Sequence, residues 1–175
     1  SKMNEVADRE GFAVIYPQGT IDSQGNAFFN VGYEFNKDST IDDVSFIREL
    51  VIHVRDTYQL SEKNIFATGM SNGGFMSYHL ACNLSSKIAA VASVTGSMSK
   101  ETYEDCNPAH STSILQVHGT IDVTVPFQGN SDLGMKSIND VMDYWKLYDA
   151  CDTDPTSIVT DYFDIQISIQ HDTYS

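Results

Sequence analysis

The stretch Lys63–Cys82, KNIFATGMSNGGFMSYHLAC, constrains this chain more than any other. Ile65, Phe66 and Ala67 form a short apolar run of strand character. Gly69-Met70-Ser71-Asn72-Gly73 follows, and Phe75, Met76, Tyr78, His79 and Leu80 then continue at helical spacing. A strand must therefore turn into a helix within a few residues. The bend is expected to be so tight that side chains at Gly69 and Gly73 would collide with neighbouring backbone. Gly74 would let the helix lie close to the sheet. A serine on such a bend projects its hydroxyl above the C-terminal edge of the sheet. The backbone N–H of Asn72, at the helix start, has no intrahelical acceptor and can stabilise an oxyanion. A bare glycine-x-serine-x-glycine is a weak signal, and a plain turn would also use these residues. Strand before and helix after are what point to a nucleophilic Ser71.

The 175 residues predict one domain, 1–175, and 41% apolar content suffices for a core. No apolar run is long enough to cross a membrane. The formal charge is −14, from 24 acidic and 10 basic residues. Such a surface repels nucleic acid and anionic membranes, which excludes both as partners. The polar Ser1-Lys2-Met3-Asn4-Glu5 start does not read as a signal peptide.

In chain order, 1–10 predicts a short helix stopped by Gly11. Phe12–Tyr16, a continuous apolar run, predicts a strand buried on both faces. Thr20–Asp38 reads as a long loop whose Phe28, Phe29, Tyr33 and Phe35 either line a cleft or pin the loop down. Thr40 is the expected N-cap of an amphipathic helix ending near Tyr58, with Asp42 and Asp43 in its first turn and His53 on its face. Ile88–Val94 reads as a buried strand whose small residues suit close helix packing. Gly96–His110 reads as a second loop and Ser113–His118 as a strand stopped by Gly119. Met135, Ile138, Val141, Met142, Trp145 and Tyr148 mark another helix, and Phe163–Ile169 alternates like an edge strand. Strands alternating with helices predict a mainly parallel sheet with helices on both faces.

A serine needs a base, and a histidine base needs a carboxylate that fixes its tautomer. Directly after the strand ending at His118 comes Gly119-Thr120-Ile121-Asp122, which places Asp122 at the same sheet edge as Ser71. Asp122 is the candidate acid, although an Asp that caps its own loop would look the same. Asp132 is a weaker candidate. His118 precedes the acid and reads as structural, ordering that loop. His79 and His110 lie before the acid in the chain. His171 follows it, in a predicted strand, and is a base candidate on chain order alone.

Taken together, Gly11-Phe12, Tyr16-Pro17-Gln18-Gly19, Asn30-Val31-Gly32-Tyr33, Gly69–Gly74, Leu80-Ala81-Cys82 and His118-Gly119-Thr120 with Asp122 and Val125-Pro126 resemble the polyhydroxybutyrate depolymerase/feruloyl esterase family. The resemblance spans nearly the whole chain. It implies an α/β-hydrolase fold, with Ser71 as nucleophile, Asp122 as triad acid and Asn72 N–H in the oxyanion hole. It implies a secreted or periplasmic carbohydrate esterase with no metal or organic cofactor. Its substrates would be feruloyl or acetyl polysaccharide esters, or short hydroxyalkanoate esters. Family members also carry an earlier strand ending in a His-Gly loop and a C-terminal Gly-His-Thr-Trp-Pro-like motif. Neither is found in this sequence, so the expectation is a domain trimmed at both ends, its base lying beyond Ser175. Of the three cysteines, Cys82 and Cys106 can pair and leave Cys151 over, or all three are reduced. A peptidase or dienelactone hydrolase, and a non-catalytic hydrolase-like binding domain, are the competing readings.

Overall fold

The structure is a computed structural model that describes residues 2–21, 25–162 and 167–175. Its centre is a parallel sheet of three strands in the order β3 (Phe66–Met70), β4 (Ala90–Val94) and β5 (Ser113–Val117). The register is flush: Ala90 lies between Phe66 and Ser113, and Val94 between Met70 and Val117. The three C-terminal ends therefore share one edge. Helix α3 (Asn72–Asn83) connects β3 to β4, and α4 (Lys100–Asp105) connects β4 to β5.

The pleat sends Ala67, Gly69, Val91, Ser93, Ile114 and Gln116 to the face that α3 covers. Their small size at the centre lets the helix approach at backbone distance. A Cβ on Gly74 would lie 2.6 Å from Ser93 Oγ and 3.0 Å from Gly96 Cα. Phe75, Met76, Tyr78, Leu80 and Ala81 of α3 are buried, as the helical spacing predicts. Ile47 of α2 (Asp43–Tyr58) and Val141 and Trp145 of α5 (Ile138–Tyr148) join the same core, with Trp145 stacked on Tyr78 at 6.3 Å. Because these helices feed one core, the opposite sheet face stays open among the described residues. Phe66, Met70, Leu115 and Val117 are at least half exposed there, where a second helical layer was expected.

Several expectations need correction. Helix α1 (Met3–Glu10) ends at Gly11, in the left-handed conformation, as predicted. Phe12–Tyr16 is no strand: it pairs with none among the described residues, and Phe12, Ile15 and Tyr16 are exposed. An apolar run without a ladder partner has nothing to make it one. The loop at 20–38 contains a small hairpin, β1 (Thr20–Ile21) with β2 (Ala27–Phe28), and a 3₁₀ turn at Glu34–Asn36. The cap of α2 is Asp42, not Thr40, because the Asp42 carboxylate reaches Ser45 N–H at 2.8 Å. The loop at 96–110 contains α4, capped by Ser99, whose hydroxyl accepts from Thr102 N–H. The predicted strand at 163–169 lies partly outside the described residues. Ile167–Thr173 is β7, paired antiparallel with β6 (Thr156–Tyr162) in a separate hairpin, so it is no edge of the parallel sheet. Cys82 and Cys106 form a disulfide between the end of α3 and the end of α4, and Cys151 is free.

Residues 27–36 run as a strap across the C-terminal edge. Asn30 N–H donates to the buried Asp43 carboxylate at 2.6 Å. Val31 is fully buried, and its carbonyl accepts from the Ser99 and Thr102 hydroxyls. His79 Nδ1 meets Thr102 Oγ1 at 2.8 Å. Burial holds the His79 pKa below the usual histidine range, and the carboxylates of Asp43 and Asp42 oppose this only in part.

Two outcomes follow from these contacts. Reducing the Cys82–Cys106 bond, which spans 24 residues of chain, is expected to lower urea stability by about 3 kcal/mol, with Cys82→Ala/Cys106→Ala behaving alike. His79 is uncharged in the fold more readily than in the unfolded chain. Its contribution is therefore present above a pH of about 6.5 and is lost as pH falls toward its folded pKa. Urea midpoints measured from pH 7.5 down to 5 should fall, and His79→Gln should flatten that slope.

Candidate active site

Ser71 follows the last residue of β3 and precedes α3, at φ 53° and ψ −119°. A non-glycine residue held there is strained, and surrounding contacts must hold it in place. Ser71 N–H donates to Val94 O at 2.9 Å, which extends the sheet by one bond, while Ser71 O accepts from Gly74 N–H and Phe75 N–H to start the helix. Gly69 is required by space: its Cβ would lie 2.3 Å from the Gly73 carbonyl carbon. Gly73 is not, since a Cβ there meets nothing within 4 Å. The expected collision is thus one-sided, caused by Gly73 backbone passing over Gly69. As the first residue of α3, Asn72 points a backbone N–H out of the helix with no intrahelical acceptor. The Ser71 hydroxyl makes no hydrogen bond among the described residues.

The Asn72 side chain has a role that sequence reasoning missed. Its Oδ1 accepts from Phe29 N–H at 2.8 Å, and its Nδ2 donates to Phe29 O at 3.1 Å and to Tyr33 Oη at 3.3 Å. The amide thus imitates a strand neighbour and ties the strap to the elbow. Tyr33 is buried, lies edge-on to Phe75 at 5.0 Å and stacks on Phe35 at 4.9 Å. Burial pushes its hydroxyl pKa up to about 12, against the Asn72 hydrogen bond. Tyr33 and Phe29 pin the aromatic loop down, while the rings of Phe28 and Phe35 lie 6.3 Å apart, with Phe35 exposed. No sequence period could have revealed the amide tether, because it joins residues 43 apart.

Asp122 lies in the loop after β5. Its Oδ1 accepts from Thr124 N–H and Val125 N–H at 2.9 Å each, and these bonds hold its carboxyl below the usual carboxylate range. The loop-capping reading is therefore realised, yet it occupies one oxygen only. Oδ2 faces His118 Nε2 at 3.9 Å and is free to accept from another donor. His118 itself is buried beneath the loop, with its ring edge-on to Phe127. Asp132 lies in a different turn, capped by Asn130, whose Oδ1 accepts from Asp132 N–H and Leu133 N–H.

Ser71 and Asp122 extend from two strands of one flush edge, separated by β4. Two strand spacings put the strand ends about 10 Å apart. An imidazole bridging a serine hydroxyl and a carboxylate would have to dock above β4, between the ends of β3 and β5. None of the five histidines provides it. His53 and His110 are exposed elsewhere, His79 lies on α3 bonded to Thr102, and His118 is buried between Gln116 and the acid loop. His171 lies on β7 opposite Ile158, exposed, with Thr173 as its side-chain neighbour. Among the described residues no cluster of three or more His, Cys, Asp or Glu could hold a metal, and no helix is long and apolar enough to cross a membrane.

Comparison with known proteins bears on this arrangement. The profile of a phospholipase/carboxylesterase family matches residues 30–149, which include the elbow, the acid loop and the strap from Asn30 onward. A probable feruloyl esterase C of Aspergillus clavatus is 31% identical over 143 residues, covering 78% of this chain and 50% of that protein. Feruloyl esterase B of Piromyces equi is 32% identical over 131 residues, covering 74% of this chain and 24% of that protein. A bifunctional acetylxylan esterase/xylanase of Neocallimastix patriciarum is 27% identical over 128 residues, covering 70% and 16%. The chain spans half the length of these relatives or less. With the parallel sheet, its flanking helices and the strained serine turn between them, the chain belongs to the phospholipase/carboxylesterase family of α/β-hydrolases.

Proposed function

We propose that this domain hydrolyses carboxylic esters through an acyl-enzyme at Ser71. The observation that carries the reading is the Ser71 backbone itself, since a non-glycine residue is kept at φ 53° where glycine would be unstrained. Ser71 Oγ attacks the ester carbonyl carbon and loses its proton to an imidazole. The carbonyl oxygen becomes an oxyanion facing Asn72 N–H. Collapse breaks the C–O bond, the imidazole returns its proton to the leaving alcohol, and water repeats the sequence on the acyl group. Asp122 Oδ2 orients the imidazole and stabilises its charged form. None of the five histidines occupies the position between Ser71 and Asp122 that such a ring would take.

The relatives' names direct the substrate reading to feruloyl and acetyl esters of plant polysaccharide, and the resemblance adds short hydroxyalkanoate esters. The rings of Phe28 and Phe35, in the segment that Asn72 ties to the elbow, support an aromatic acyl group. The Cys82–Cys106 disulfide supports a secreted or periplasmic location. A non-catalytic, hydrolase-like binding domain is the second reading, and the missing bridge between Ser71 and Asp122 is the observation in its favour.

A fluorophosphonate probe with mass spectrometry separates the two. Ser71 is expected to be labelled, faster with free imidazole present, and Ser71→Ala not at all. Labelling of neither protein, with or without imidazole, would leave the binding reading. Ser71→Gly should abolish labelling yet raise unfolding stability by about 1–2 kcal/mol, because glycine adopts this backbone without strain. Asp122→Asn should slow imidazole-assisted labelling by at least tenfold while changing probe saturation little. Phe35→Ala should weaken methyl ferulate binding several-fold and leave p-nitrophenyl acetate unaffected.

A further inference from the structure

The buried polar side chains between α3 and the acid loop form a line whose proton positions are determined by two carbonyl groups. Gly96 O and Val125 O can only accept. The Gln116 atom 3.0 Å from Gly96 O must therefore be Nε2, which leaves Oε1 to accept from Tyr78 Oη–H at 2.7 Å. The same Nε2 lies 2.9 Å from His118 Nδ1, and an amide nitrogen can only donate there. Nδ1 is thus bare, and the proton sits on Nε2, which donates to Val125 O at 2.8 Å. Asp122 Oδ1 accepts from Val125 N–H, so both backbone groups of Val125 are held, one by His118 and one by the acid. The His118 side chain is 1% exposed, and Val125 is buried.

We propose that His118 is a positioning residue, locked as the Nε2–H tautomer by Tyr78 and Gln116, which fixes the loop that aims Asp122. Its catalytic meaning rests on the esterase reading above, whereas the lock itself does not. Tyr78 belongs to the helix that starts at the serine elbow, so nucleophile and acid are referred to one buried line. A displacement of the acid by 1 Å is enough to cost roughly 100-fold in rate.

The test uses the full 175-residue chain. Two-dimensional ¹H–¹⁵N spectra of the imidazoles are expected to show His118 with Nε2 protonated and Nδ1 bare. Gln116→Leu removes the donor to Nδ1, so the Nδ1 signal should shift to that of an unbonded imine nitrogen while Val125 O still holds the Nε2 proton. Carboxyl ¹³C titration follows Asp122, whose nearest ionisable neighbour is His118. His118→Leu should move the Asp122 midpoint up toward the ordinary carboxylate value, and His118→Gln, which restores a donor to Val125 O, should bring it back. An Nδ1–H signature in the wild type overturns the proposal, and so does an Asp122 midpoint unmoved in folded His118→Leu. If His118→Leu does not fold, the wild-type tautomer and the Nδ1 shift in Gln116→Leu decide. Acylation of Ser71 in the presence of imidazole should slow 10- to 100-fold in His118→Leu and recover in His118→Gln. A wild type that never acylates overturns the esterase reading, and the spectra still decide this one.

Discussion

Everything at the C-terminal edge depends on how closely α3 lies against β4. Gly74 and Gly96 meet backbone to backbone over Ser93, with no room for a Cβ on either glycine. This approach brings the helix start within one residue of the strand end and leaves Ser71 no relaxed conformation. Strain at one residue is maintained because the contacts around it, in the sheet bond to Val94 and the first turn of α3, are worth more. The same geometry turns the first helical N–H groups toward the space above the edge.

Around that point the molecule uses polar side chains as substitutes for backbone. The Asn72 amide pairs with both backbone groups of Phe29 as a strand neighbour would. Asp43 and the Ser99 and Thr102 hydroxyls satisfy Asn30 and Val31. Asp122 and His118 do the same for Val125. Each segment runs over the sheet edge outside any ladder, where buried N–H and C=O groups still need partners. Irregular backbone can therefore be held rigidly enough to shape a site.

Local patterns made the central elements legible. The strand, bend and helix of 65–83, the small residues of 88–94, the strand at 113–117 and the spacing of Val141 and Trp145 all report burial within one element, and burial imposes period 2 or 3.6 on the residues concerned. The placement of Ser71 and Asp122 on one edge followed from the strand ends being parallel. The sequence placed the cap of α2 at Thr40, and the reach of the Asp42 carboxylate to Ser45 N–H moved it by two residues.

The sequence by itself determined that a serine must sit on a strand-to-helix bend and that a carboxylate follows a later parallel strand, because both depend on near neighbours in the chain. Tertiary structure decided the rest. It left Phe12–Tyr16 without a ladder and put residues 167–173 into a separate hairpin. It chose Phe29 as the partner of Asn72 and set the proton of His118. These outcomes rest on which groups meet across distant segments, and a partner 43 residues away leaves no period in the chain to read.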